Sequence, residues 1–197
     1  PALSAFDNDI KEAGAEFLVF TKGLGVADEH MVGFFLRGQR EGQNFKEVFA
    51  EVGKYAIALG DSMGKKSFKL IGKDVGKMMK NVKIFGSMSV RQMSQVSVYA
   101  RKLGLDFESL LGVTDKFDNF EDGAVNAAKL SQALGVNIDV MKMMRATDPV
   151  EQIEELRRAF KVAGVDSSKF DRQTRKIVMG LTNLTDQAVD QTFALHN

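Results

Sequence analysis

The chain has 197 residues, 44% of them hydrophobic, with two prolines, eighteen glycines and no cysteine. That length and apolar content suit one domain, or one domain with an extended arm, and argue against wholesale disorder; the missing cysteine excludes disulfides, thiolate zinc sites and cysteine nucleophiles. A formal net charge of +1 gives no global attraction for nucleic acid or an anionic surface, no apolar run approaches the length needed to span a bilayer, and no signal peptide is visible.

From the N-terminus, Phe6, Ile10, Ala13, Phe17 and Phe20 recur at helical spacing and predict a helix over 3–20, broken by Gly23 and Gly25. A short apolar helix follows through Met31, Val32, Phe34, Phe35 and Leu36. The stretch GQREGQ at 38–43 reads as a linker and divides an N-terminal arm, 1–43, from a helical body, 44–197. Asn44 and Glu47 form a capping box that opens a helix through Phe45, Phe49, Val52, Tyr55 and Leu59, with a stop expected at Gly60.

Asp61 is placed to cap a long basic helix over 62–83. Its apolar stripe is Phe68, Ile71, Val75, Met78, Met79 and Val82; Gly64, Gly72 and Gly76 share that side, and Lys66, Lys69, Lys73, Lys77 and Lys80 lie opposite. Each interior glycine costs ~1 kcal/mol relative to alanine. Three on the apolar side therefore point either to close approach by another backbone or to a weak helix. The expected packing or partner face is Gly64, Phe68, Ile71, Gly72, Val75, Gly76 and Met79. Residues 54–83 carry eight lysines against Asp61 and Asp74, a local charge of +6, whereas 105–160 carry eleven acids against six bases, or −5. Two such blocks can dock on each other, within or between chains, or can simply be solvated faces.

Ser89 with Gln92 opens the next helix, through Val90, Met93, Val96 and Ala100 to Gly104, and a turn of helix over Phe107 to Leu111 follows. Three capped helices are expected across 114–164. Thr114 starts the first and Gly135 ends it; Asn137 opens a short second through Ile138, Met141 and Met144. Asp148-Pro149 starts a third, with Glu151 completing a capping box, and Gly164 stops it. Asp166 opens a segment toward Phe170 and Ile177 that stops at Gly180, and a last helix runs through Ala188, Val189 and Phe193. An apolar-glycine-apolar triplet recurs at Gly25, Gly104, Gly112, Gly135, Gly164 and Gly180, as expected of glycines closing helices in the left-handed conformation. No segment reads as a strand. The fold class is all-α, an irregular array of short amphipathic helices.

Little in the sequence suggests catalysis. GDSMGKKS at 60–67 has three residues between its glycines and two lysines before Ser67, so it misses the phosphate-loop spacing. His30 and His196 have no partners at ligand spacing. Glu154 pairs with Arg158 at i,i+4 as a surface contact, and the sequon at Asn183 is a chance match. Met141, Met143 and Met144 offer adaptable apolar surface for a core or a partner groove.

The ordered series GDSMGKKSFKLIGKDVGKMMKNVKIFG, SVRQMSQVSVYARKLGLDFESLLGVTDKFDNFEDGAVNAAKLSQALG, the methionine-rich short helix, ATDPVEQIEELRRAF and DSSKFDRQTRKIVMGLT resembles the helical region of tail tape-measure proteins of contractile-tailed bacteriophages. The resemblance spans about residues 45–195. It implies a virion structural protein of the tail tube or baseplate hub, assembled in the host cytoplasm and concerned with tail assembly, length determination and genome ejection. It also implies a homo-oligomer, a trimer above all, with tube or hub proteins as partners. It carries no catalytic residue, cofactor, metal or sequence-specific nucleic-acid contact. A measuring stretch should be uninterrupted helix at 1.5 Å per residue; breaks every ten to twenty residues point instead to a folded segment of such a protein. Two competing readings are a membrane-active module with helix 62–83 as an amphipathic wedge during genome delivery, and a wall hydrolase.

Overall fold

The computed structural model describes Gly14, Leu18 and residues 28–63, 66–146 and 148–195, excepting the side chains of 28–30, Val32, Phe45, 58–63 and 66. Those residues form α-helices and one 3-10 turn, with no strand among them. The all-α expectation holds. Gly14 and Leu18 are helical; the rest of the helix expected over 3–20, the break at Gly23 and Gly25, and Gly64 lie outside the described residues.

The chain divides into two compact units, 1–98 and 99–197. In the first, α1 (Asp28–Arg40), α2 (Phe45–Met63) and α3 (Lys66–Lys80) pack on one another, followed by the single turn α4 (Val82–Phe85) and by α5 (Val90–Lys102), which runs on into the second unit. Its core includes Phe34, Phe49, Ile71, Val75, Met78 and Phe85, each sealed from solvent. Burying a side chain of that size contributes about 1.5–3 kcal/mol, which is what holds such short helices together. The Phe34 and Phe49 rings stand 5.2 Å apart, and Phe49 stacks on Phe68 at 6.4 Å.

The expected linker at 38–43 lies inside the first unit. The Gln43 amide donates to the Gly38 carbonyl at 2.8 Å, and a side chain at Gly38 would meet Val48. Glu41 pairs with Arg37 at 2.8 Å and accepts from the Val90 amide, while Arg37 also donates to the Gly86 carbonyl. Glycine and charge here make a pinned turn.

The second unit contains α6 (Phe107–Phe117), α7 (Phe120–Leu134), α8 (Val140–Met144) and α9 (Pro149–Val162). A 3-10 turn (Ser167–Lys169), α10 (Arg172–Thr182) and α11 (Asp186–Phe193) complete it. Several caps and stops expected from local sequence form. Asn44 and Glu47 bond reciprocally at 2.8 and 2.9 Å, as do Ser89 and Gln92 at 2.8 and 3.2 Å. Asp148 accepts from the Val150 and Glu151 amides with Pro149 at the first helical position, a cap worth about 1 kcal/mol. Gly104 and Gly164 take left-handed φ of 68° and 66°. The next amides, of Leu105 and Val165, reach back to Ala100 and Phe160, which is the Schellman closure. Gly135, at φ 71°, ends α7 as expected, and a break also falls at Gly86.

Other boundaries are corrected. The helix opened at Asn44 does not stop at Gly60: α2 continues through it to Met63, so Asp61 lies inside a helix and not before one. The basic helix is interrupted at Asn81, where ψ of 72° leaves the helical region; Val82 therefore leaves the apolar stripe and is 68% exposed. Gly112 lies within α6, which extends to Phe117 and not to Leu111. Thr114 caps nothing: it is buried in α6 and donates its hydroxyl to the Leu110 carbonyl, while Asn119 caps α7 through the Asp122 amide. Asp139, not Asn137, opens α8. Asp166 caps only the 3-10 turn, Asp171 caps α10, and α10 passes Gly180 to end at Asn183 in the left-handed conformation, φ 56°.

Gly112 shows why the triplet misleads. The Asn183 side chain lies where a Cβ on Gly112 would stand, with Nδ2 at 2.6 Å and Cβ at 3.1 Å from that point. The glycine provides room for the side chain that closes a neighbouring helix. Gly112→Leu is expected to cost about 1–3 kcal/mol through overpacking, despite removing an interior helix glycine. Denaturant unfolding would measure this, and Gly112→Ala combined with Asn183→Gly should recover most of the loss. An unchanged midpoint in Gly112→Leu would mean that α6 and the end of α10 are not in contact.

Candidate functional site

The face singled out on the basic helix is interior. Ile71, Gly72, Val75 and Gly76 are buried and Phe68 and Met79 half-buried, covered by α1 and α2 within the first unit. Two glycines on the covering helices lie in ordinary contact with this face. A Cβ on Gly33 of α1 would stand 3.5 Å from Met79, and one on Gly53 of α2 would stand 3.4 Å from the Phe68 ring. Gly33 and Gly53 thus leave room for the Met79 and Phe68 side chains of α3. The one acid of α3, Asp74, is 2% exposed and accepts the Ser97 hydroxyl at 2.9 Å. Opposite the packed face, Lys69, Lys73 and Lys80 are exposed.

The second unit contains a charged centre that the sequence did not disclose. Glu155 on α9 is 1% exposed in its side chain, yet it pairs with Lys142 of α8 at 2.8 Å and with Arg158 one turn along its own helix. Glu154 pairs with Arg157 at 2.9 Å, so the pairing expected between Glu154 and Arg158 is replaced by two i,i+3 contacts. Burial pushes the Glu155 carboxyl up, but hydrogen bonds from Arg158 and then Lys142 outweigh it and hold the group below the ordinary carboxylate range. Gln152, also buried, donates to the Met143 carbonyl at 3.3 Å. These contacts moor α8, whose Met143 is fully buried while Met141 and Met144 remain partly exposed.

Other ionisable groups serve the same structural end. Arg175 of α10 reaches Asp190 and Asp186 of α11, at 2.9 and 2.8 Å, and the Ser167 carbonyl at 3.1 Å; the two carboxylates hold its guanidinium still more firmly protonated. The Ser168 hydroxyl and amide hold Asp166 below its ordinary range, and the Thr174 amide does so for Asp171. Both depressions are those of working helix caps. Arg157 donates to the Tyr99 hydroxyl and the Thr192 carbonyl, and Tyr55 accepts from Arg91 and Gln95.

A basin of about 680 Å³ opens beside α9 and α11, over Phe160 and Phe193 stacked at 4.2 Å, with Arg157, Arg158 and Lys161 at its edge. Its two arginines are paired with Glu154 and Glu155. Among the described residues no group of three or more histidines or acids is placed to hold a metal, and no helix is long and apolar enough to cross a membrane. His30 and His196 fall outside the described side chains. Comparison with family models, with curated proteins and with solved structures finds no match to this chain.

Proposed function

We propose that this chain is a folded structural segment of a phage tail tape-measure protein. In this reading it is held in the tail tube or at the tail-tip hub as a homo-oligomer against tube or hub proteins. It takes part in tail assembly, length determination and genome ejection, with no catalytic step of its own. What supports the reading is the ordered series of sequence blocks that resemble that family, from the lysine helix to DSSKFDRQTRKIVMGLT, in a chain whose described residues fold as short helices in two compact units. Ionisable groups at the heart of the second unit are spent on caps and on ties between helices, as befits a load-carrying part.

The membrane-active reading has less support, because Ile71, Val75 and Met78 would have to leave a core in which each is fully buried. The role is tested by reconstruction of purified tails from the source phage. The expected result is two helical units of this shape in the tube lumen or at the hub, repeated about the tail axis. Particles that lack the chain by mass spectrometry would overturn the assignment.

A further inference from the structure

We propose that the lysine face of α3 is a docking surface for the acidic segment 115–122 of a second copy of this chain. Lys69 and Lys73 are exposed one turn apart on α3, about 6 Å along the helix at 1.5 Å per residue. The opposite side of α3 is locked into the first unit by Ile71, Val75 and Met78, so this face cannot turn inward. Asp74 directs its carboxylate to the buried Ser97 hydroxyl and so lies beneath the lysine surface.

In the second unit, the end of α6 and the start of α7 expose Asp115, Asp118, Glu121 and Asp122. Phe120 is the first residue of α7 and is 56% exposed among them. An aromatic side chain left in water between carboxylates is a recognisable anchor, able to seat its ring against lysine stems while the acids meet the ammonium groups. Val82, 68% exposed just past the end of α3, offers an apolar counterpart.

Charge complementarity selects the occupant. The lysine face of α3 and the segment 115–122, four acids against Lys116 or −3, belong to one chain whose net charge is +1. A second copy carries the complement of each surface, whereas a nucleic acid or an anionic bilayer would satisfy the lysines and repel the acids. Because the two surfaces differ, the contact is head-to-tail and leads to a ring or an open chain of copies. Exposed ion pairs are individually weak and screened by salt, so the association is salt-sensitive.

The test is sedimentation velocity on the intact chain and on two charge-reversed variants, Lys69→Glu/Lys73→Glu and Asp115→Lys/Glu121→Lys, with circular dichroism confirming that each stays helical. The wild type should associate with rising concentration at low salt and dissociate at high salt. Each variant alone should associate at least about tenfold more weakly, because like charges then face each other. An equimolar mixture of the two variants should associate again, since each reversed surface finds its complement. A monomeric wild type at its highest soluble concentration, or a mixture that does not recover, would overturn the proposal. So would binding of duplex DNA or anionic vesicles through Lys69 and Lys73 by a chain that does not self-associate. The experiment uses the isolated chain, so its failure would leave the tail assignment, judged on particles, untouched.

Discussion

Replacing both Lys142 and Arg158 by methionine is expected to destabilise the second unit by about 3–5 kcal/mol at neutral pH, the effect of leaving a buried carboxylate without its cations. Glu155 is the group exposed to that loss: its side chain is 1% accessible, whereas those of Lys142 and Arg158 are 60% and 50% accessible. Removing Glu155 instead should cost less, because the two cations can return to water. The pH dependence gives a second readout. In the wild type the folded Glu155 is depressed below its unfolded value, so its stabilisation is present above the unfolded pKa and is lost as pH falls through the folded pKa. In the double variant burial acts alone and raises the folded pKa. The penalty is then largest at neutral pH and shrinks as acid protonates Glu155. Urea unfolding of both proteins across the acidic range would show the two stability curves converging toward low pH. A constant gap would mean that Glu155 is not the group that the cations serve.

This centre also marks how far the sequence could be read. Caps such as Asn44-Glu47, Ser89-Gln92 and Asp148-Pro149 were legible because donor and acceptor lie within three residues, so local spacing decides the bond. The apolar face of α3 was legible for the same reason: the helical period alone places Ile71 and Val75 together. Glu155 could not be chosen over Glu154, since adjacent acids on a charged helix differ only in what another element brings to them, here Lys142 from α8. Glycine was ambiguous in the same way. Gly104, Gly135 and Gly164 end helices with positive φ, whereas Gly112 sits in mid-helix to admit Asn183; the flanking apolar residues look alike in both cases. Thr114 likewise has the chemistry of a cap, but burial turns its hydroxyl back on the preceding turn.

If these residues form a folded part and not a length of ruler, tail length should not scale with their number, which electron microscopy of phage carrying an in-frame deletion of 114–164 would measure. The deletion removes the end of α6 and all of α7, α8 and α9, and with them the buried side chains of Phe117, Leu130, Met143, Ile153, Leu156 and Phe160. What remains of the second unit, the end of α5, the start of α6, the 3-10 turn, α10 and α11, would expose the faces that those helices covered, and any hub contact would lose its platform. The helices fold back on one another, so the span of the segment bears no simple relation to its residue number. The expected result is therefore failed or misdirected tail assembly, with no population of uniformly shortened tails. Infectious particles with uniform tails ~75 Å shorter, the length of about fifty residues in continuous helix, would contradict the account and make this stretch part of the ruler.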